Sequence, residues 1–103
     1  MQSFYPASFD RDMGCTPAEW LGWLPAAIGD CAWSLDGSQA HVTIRHASGA
    51  GTLKLAWQPA SPRRIALMHI PRLLVSFNFL NMDDAARLLF MKRFDLYMQR
   101  GGG

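Results

Sequence analysis

The sequence predicts an α+β domain: a four-stranded antiparallel sheet, five-stranded if residues 1–14 add an edge strand, with an N-terminal and a C-terminal helix packed on one face. Three observations carry this reading. An apolar segment of helical spacing follows a capping box at Thr16, apolar residues recur with period two between Ala32 and Leu80, and a second helical pattern closes the chain after Asn81. A chain of 103 residues, half of them hydrophobic and 17% charged, is enough for one core and too apolar for disorder, so residues 1–103 form a single domain.

The first helix is predicted from its ends. Thr16 is the N-cap, Pro17 stands at the first helical position, and Glu19, three residues after the cap, completes the box. Trp20, Leu21, Trp23, Leu24, Ala27 and Ile28 supply apolar positions. Pro25 lacks a backbone N–H and presses on the preceding turn, which predicts a kink or an end near Leu24, with Gly29 as the final stop.

Val42, Ile44 and His46 alternate with His41, Thr43 and Arg45, and Leu53, Leu55 and Trp57 alternate with Thr52, Lys54 and Ala56. Reading Gly49 as the first central residue of a type II′ turn places Val42 opposite Trp57, Ile44 opposite Leu55, His46 opposite Leu53 and, on the other face, Arg45 opposite Lys54. Gln58 to Pro62, with two prolines, reads as a loop. The run from Ile65 to Leu80 is too long for an ordinary strand and predicts two strands, or one strand broken at Pro71; as two strands it is a hairpin turning at Ile70 to Arg72. Its odd positions, Leu73, Val75, Phe77 and Phe79 among them, face the core.

Asn81 is the expected cap of the last helix, Gly101 its end, and residues 101–103 a flexible tail. Ala85, Ala86, Leu89, Leu96 and Tyr97 form a broad apolar face suited to covering the sheet. Met91, Phe94 and Met98 form a second stripe, which predicts a homodimer contact, with packing on the first helix as the alternative.

The features that carry chemistry are sparse. Arg93 interrupts the apolar face of the last helix and is a candidate anchor for an anion, with His46 and His69 as companions of inward parity around a pocket between sheet and helix. No cofactor motif, phosphate loop or metal-ligand spacing occurs, and Cys15 and Cys31, at opposite ends of the first helix, read as reduced structural thiols. The formal charge of +2 comes from scattered basic residues and does not predict nucleic-acid binding. The N-terminus lacks the pattern of a signal peptide and no apolar run reaches a membrane span, so a cytoplasmic location without membrane contact is expected. The function expected is a non-enzymatic, homodimeric interaction module with an acidic protein or small anion as partner. Its alternative is a small-molecule carrier or small enzyme built on His46, His69 and Arg93.

Overall fold

The computed structural model describes residues 3–102 and has the α+β architecture, with five strands and two helices. In chain order these are β1 (Ser8–Met13), α1 (Pro17–Ile28), β2 (Ala32–Asp36), β3 (Gln39–His46), β4 (Gly49–Ile65), β5 (Met68–Leu80) and α2 (Asp84–Gly102). All pairings are antiparallel and the strand order is β1-β5-β4-β3-β2. The N-terminal segment is thus the edge strand, registered from Ser8 opposite Asn78 to Met13 opposite Leu73. Gly103, part of the expected tail, lies outside the described residues, whereas Gly101 and Gly102 belong to α2.

The core fills the space between one sheet face and both helices. Leu53, Leu55, Leu73, Val75 and Phe77 of the central strands are buried, as their parity predicts, beneath Trp20, Leu24 and Ile28 of α1 and Met91 and Phe94 of α2. Phe77 meets Phe94 edge-on at 5.6 Å between centroids, and Trp20 contacts both Trp57 and Phe94, so the aromatic residues join all three elements.

Helix α1 begins as predicted, with both bonds of the Thr16–Glu19 box formed. It does not stop at Pro25. The helix continues to Ile28 with Pro25 exposed, and the burial of Leu24, Ala27 and Ile28 offsets a proline cost of about 3 kcal/mol. Gly29 then ends it at φ 72°. The guanidinium of Arg93 lies where a Cβ of residue 29 would stand, and its Nη1 donates to the carbonyls of Ala26 (3.0 Å) and Ala27 (3.2 Å). No basic residue stands in the last turn of α1, so Arg93 supplies from α2 the cation that this helix end favours.

The β3–β4 hairpin turns at Ala47 and Ser48, and its register differs by four residues from the expected one. Val42 faces Leu53, Ile44 faces Gly51, His46 faces Gly49 and Arg45 faces Ala50, while Lys54 lies opposite His41. An even shift leaves every side chain on its expected face. The cause is Gly51. The side chain of Met82 and the carbonyl oxygens of Leu80 and Asn81 occupy the place of a Cβ there, so this glycine serves the crossing of the chain into α2 and not the turn.

Residues 58–62 are strand and not loop. Past Gln39 opposite Ala56, β4 has lost β3 as a neighbour, and Pro59 and Pro62 sit where proline deletes no ladder bond on that side. The expected turn at Ile70 to Arg72 is likewise replaced by continuous strand, and the chain reverses at Ala66 and Leu67. Pro71 lies inside a register shift between Ala60 and Arg63, where a bulge relieves it of pairing.

Helix α2 is capped by Asp83, whose Oδ1 accepts from the Ala86 N–H at 2.9 Å. Asn81 instead occupies the left-handed region at φ 63°. The faces of α2 differ from those expected, although Ala86 and Tyr97 of the expected face do pack against the core. Met91, Phe94 and Met98 are buried in this chain's own core, whereas Leu89 is 74% and Leu96 45% exposed. The stripe at spacings of four, three and four from Arg87 through Met91 and Phe94 to Met98 is straighter than the broad leucine face, and its long side chains reach the sheet. Arg87 turns inward with it, donating to the carbonyls of Tyr5 (2.8 Å) and Met82 (2.6 Å) and pairing with Asp84, which ties the N-terminal segment to the start of α2.

Urea unfolding checks this assignment of faces. Phe94→Ala is expected to lose about 3–5 kcal/mol, as a buried aromatic does, and Leu89→Ala less than about 0.5 kcal/mol. Comparable losses for the two would mean that α2 presents its other side to the sheet.

Candidate interaction site

The three residues expected to share a pocket lie apart. Arg93 caps α1 as described and stacks on the ring of Tyr97 at 4.4 Å. His46 closes the β3–β4 turn: its Nε2 is 2.9 Å from the carbonyl of Asn81, which can only accept, so that nitrogen carries the proton and Nδ1 accepts from the Ser48 N–H. His69 is exposed near the opposite end of β4, opposite Arg64, on the order of 50 Å along the strand from His46. Met91, Phe94 and Met98 are core residues, and the homodimer expected from them loses its contact surface.

Among the described residues are two concavities. A groove of about 410 Å³ between β1 and the helices is lined by Arg11, Met13, Cys15, Trp23, Asp95 and Met98. Its charges are spent on each other. Arg11 donates two bonds to Asp95, at 2.6 and 3.0 Å, and Asp95 also accepts from the Tyr5 hydroxyl at 2.5 Å. Burial opposes the charge of Arg11, yet Asp95 and then Tyr5 together outweigh it and hold its pKa above the ordinary arginine value; burial and then Asp95 raise that of Tyr5. The guanidinium also lies 5.2–5.8 Å from the rings of Tyr5, Phe9 and Phe77, so this cluster clamps β1 to α2. The second concavity, about 590 Å³, reaches the helix-free sheet face and is lined there by Asp10, Asp12, Ala56, Gln58, Leu74 and Ser76. It gathers no set of catalytic groups.

Burial pushes the thiols of Cys15 and Cys31 up, away from the reactive thiolate, and both are free of disulfides. Among the described residues no three metal-ligating side chains gather, and no helix is long and apolar enough to cross a membrane.

What stands out is an arm. Beyond the pairs Ala56–Gln39 and Leu73–Met13, β4 and β5 have only each other, and they project as a two-stranded ribbon roughly 20 Å past the sheet. At its apex Leu67 is 98%, Met68 63% and Ile65 57% exposed. At its root Asp12 of β1 accepts from Arg72 (Nη2 2.7 Å, Nε 3.0 Å) and from Arg63 (Nη2 3.0 Å), bracing both strands of the ribbon. These bonds, that of Arg72 foremost, hold the Asp12 carboxyl below the usual aspartate range.

Sequence reasoning placed Ile65 and Leu67 on the core face of a hairpin and so missed the arm. One signal was available. From Gly37 to Met82 the chain contains no Asp or Glu, while Arg45, Lys54, Arg63, Arg64 and Arg72 fall within it. Strands β3 to β5 therefore carry cations alone, and the arm concentrates three of them behind an apolar apex.

No family model matches the chain, and the searches of curated proteins and of solved structures likewise give no match.

The brace predicts how the arm responds to substitution and to acid. Asp12→Asn removes the charge that both arginines share and is expected to speed amide exchange of the ribbon, residues 63 to 72, about two- to fivefold while the central ladder is unchanged. Because the folded-state pKa of Asp12 is depressed, its contribution is fully present above the ordinary aspartate range and is lost as pH falls through the depressed value. Exchange that is equally fast in the wild type and in Asp12→Asn at neutral pH would show that the brace does not hold the arm.

Proposed function

We propose that this chain is a non-enzymatic interaction module and that its contact element is the β4–β5 arm. The observation that carries the reading is the exposure of Leu67, flanked by Ile65 and Met68, at the end of an ordered and braced projection. Single exposed leucines are ordinary on protein surfaces. Three large apolar side chains within four residues at the extremity of a ribbon are a contact surface in search of cover. An isolated two-stranded ribbon is marginally stable in water, so the salt bridges at its root hold in place an element that contributes little to the core.

The chemistry of the arm favours an anionic partner. Arg63, Arg64 and Arg72 stand against one neighbouring carboxylate, Asp12, which leaves a net positive arm behind the apex. A carrier or enzyme would need convergent polar groups in a pocket, and Arg93, His46 and His69 are instead engaged or exposed at separate places.

Site-specific photocrosslinking in the cell of origin tests this reading. A photoreactive residue at position 67 is expected to give discrete adducts, to protein or to lipid, that the same residue at exposed Ser34 on the far edge strand does not. Absence of adducts at 67, or the same adducts at both positions, would remove the arm as the contact element.

A further inference from the structure

We propose that the arm docks apex-first on an anionic lipid surface, a peripheral contact that departs from the expectation of no membrane contact, which was drawn from the lack of an apolar span; this rests on the reading of the arm as the contact element and names its partner. The first ground is shape. Ile65 and Met68 flank a two-residue turn that contains Leu67, with no other element beside them, so the apolar surface is convex. A rigid protein partner would need a matching cavity, whereas a bilayer interface yields around an inserted tip.

The second ground is the placement of charge. Arg64 directly precedes Ile65 and Arg63 precedes that, so their backbones lie about 3 and 7 Å behind the apex. Interfacial elements sink about 5–10 Å to the boundary of headgroups and acyl chains. With the apex at that depth, the guanidinium of Arg64 reaches the phosphates, to which it can donate two bonds, and its aliphatic stem lies along the acyl boundary. Arg64 forms no salt bridge among the described residues, so its charge is available, while Arg63 and Arg72 share Asp12 at the root. Screening at physiological salt acts over about 8 Å, which restricts the attraction to the arm and leaves Lys54 and Arg45, far down the sheet, without effect.

The third ground is the ribbon's edges. Pro59 and Pro62 on β4 and Pro71 on β5 remove backbone donors from the strands that border solvent. Such edges resist strand addition by a second chain, which turns recognition toward the apex.

Vesicle co-sedimentation of the whole chain tests the proposal, using phosphatidylcholine alone and phosphatidylcholine with about 30% phosphatidylglycerol, a composition that gives the negative surface potential required. The wild type is expected to pellet with the anionic vesicles and far less with the neutral ones. Leu67→Asp is expected to abolish pelleting. Reversing one charge at the surface is worth about thirtyfold in partitioning, the change expected for Arg64→Glu. Lys54→Glu is expected to bind like the wild type. All three positions are exposed, and unchanged urea midpoints confirm that the variants fold. Failure of the wild type to bind anionic vesicles overturns the proposal, as does undiminished binding by Leu67→Asp or an equal loss for Lys54→Glu and Arg64→Glu. The two readings fail separately: protein adducts at position 67 without vesicle binding would retain the module and discard the lipid, whereas no adduct at all would discard the module.

Discussion

The pairing of β4 with β5 is the constraint on which the rest of the molecule depends. It runs from Thr52 opposite Leu80 to Ile65 opposite Met68, through the middle of the sheet and out of it. Inside the domain it places Leu53, Leu55 and Trp57 beside Phe79, Phe77 and Val75, which makes the floor of the core. Outside the domain the same ladder becomes the arm. One backbone register therefore sets both the depth of the core and the direction of the projection, and the single irregularity between Ala60 and Arg63 falls where the two regimes meet.

The charged residues follow that division. Where β1 borders β5, two acids of the chain's ends meet arginines in different ways. Asp95 of α2 holds Arg11 among aromatic rings, a clamp across the side of the core, while Asp12 one residue further on holds Arg63 and Arg72 on the other sheet face. Alternation along β1 sends Arg11 inward and Asp12 outward, so a six-residue edge strand fastens a helix with one residue and the arm with the next.

Much of this was legible in the sequence because it depends on local chemistry or on parity. The Thr16–Glu19 box, the stop at Gly29 and the inward face of Leu73, Val75, Phe77 and Phe79 need only spacing. What was not legible depends on where a strand's neighbours end. Pro59, Pro62 and Pro71 forbid a central strand, and they stand in one that has ceased to be central, a fact set by the lengths of β1 and β3. The faces of α2 turned on which stripe meets Phe77 and Trp20, and the role of Arg93 on the end of α1 lying beside it; both are tertiary facts that helical periodicity leaves open. The site expected from His46, His69 and Arg93 failed for the same reason: inward parity placed two histidines on one face without saying that the length of β4 separates them.

The turn at the apex bears on whether the exposed leucine is a by-product of a long hairpin or a feature of it. Two-residue hairpin turns favour glycine or asparagine because a central residue takes positive φ. Here Ala66 takes φ 55°, which for a residue with a side chain costs about 1–2 kcal/mol, and Leu67 follows it fully exposed. A ribbon that needed only to reverse would be better served by Asn-Gly, and one that needed only to dissolve would carry charge at its tip. The chain has neither, though Gly37 between β2 and β3 shows a glycine at positive φ in another turn of the same sheet. Strain and exposed apolar surface both oppose stability, and they coincide at the point farthest from the core that could absorb them. Such a coincidence supports the proposal that the arm is shaped as a contact element.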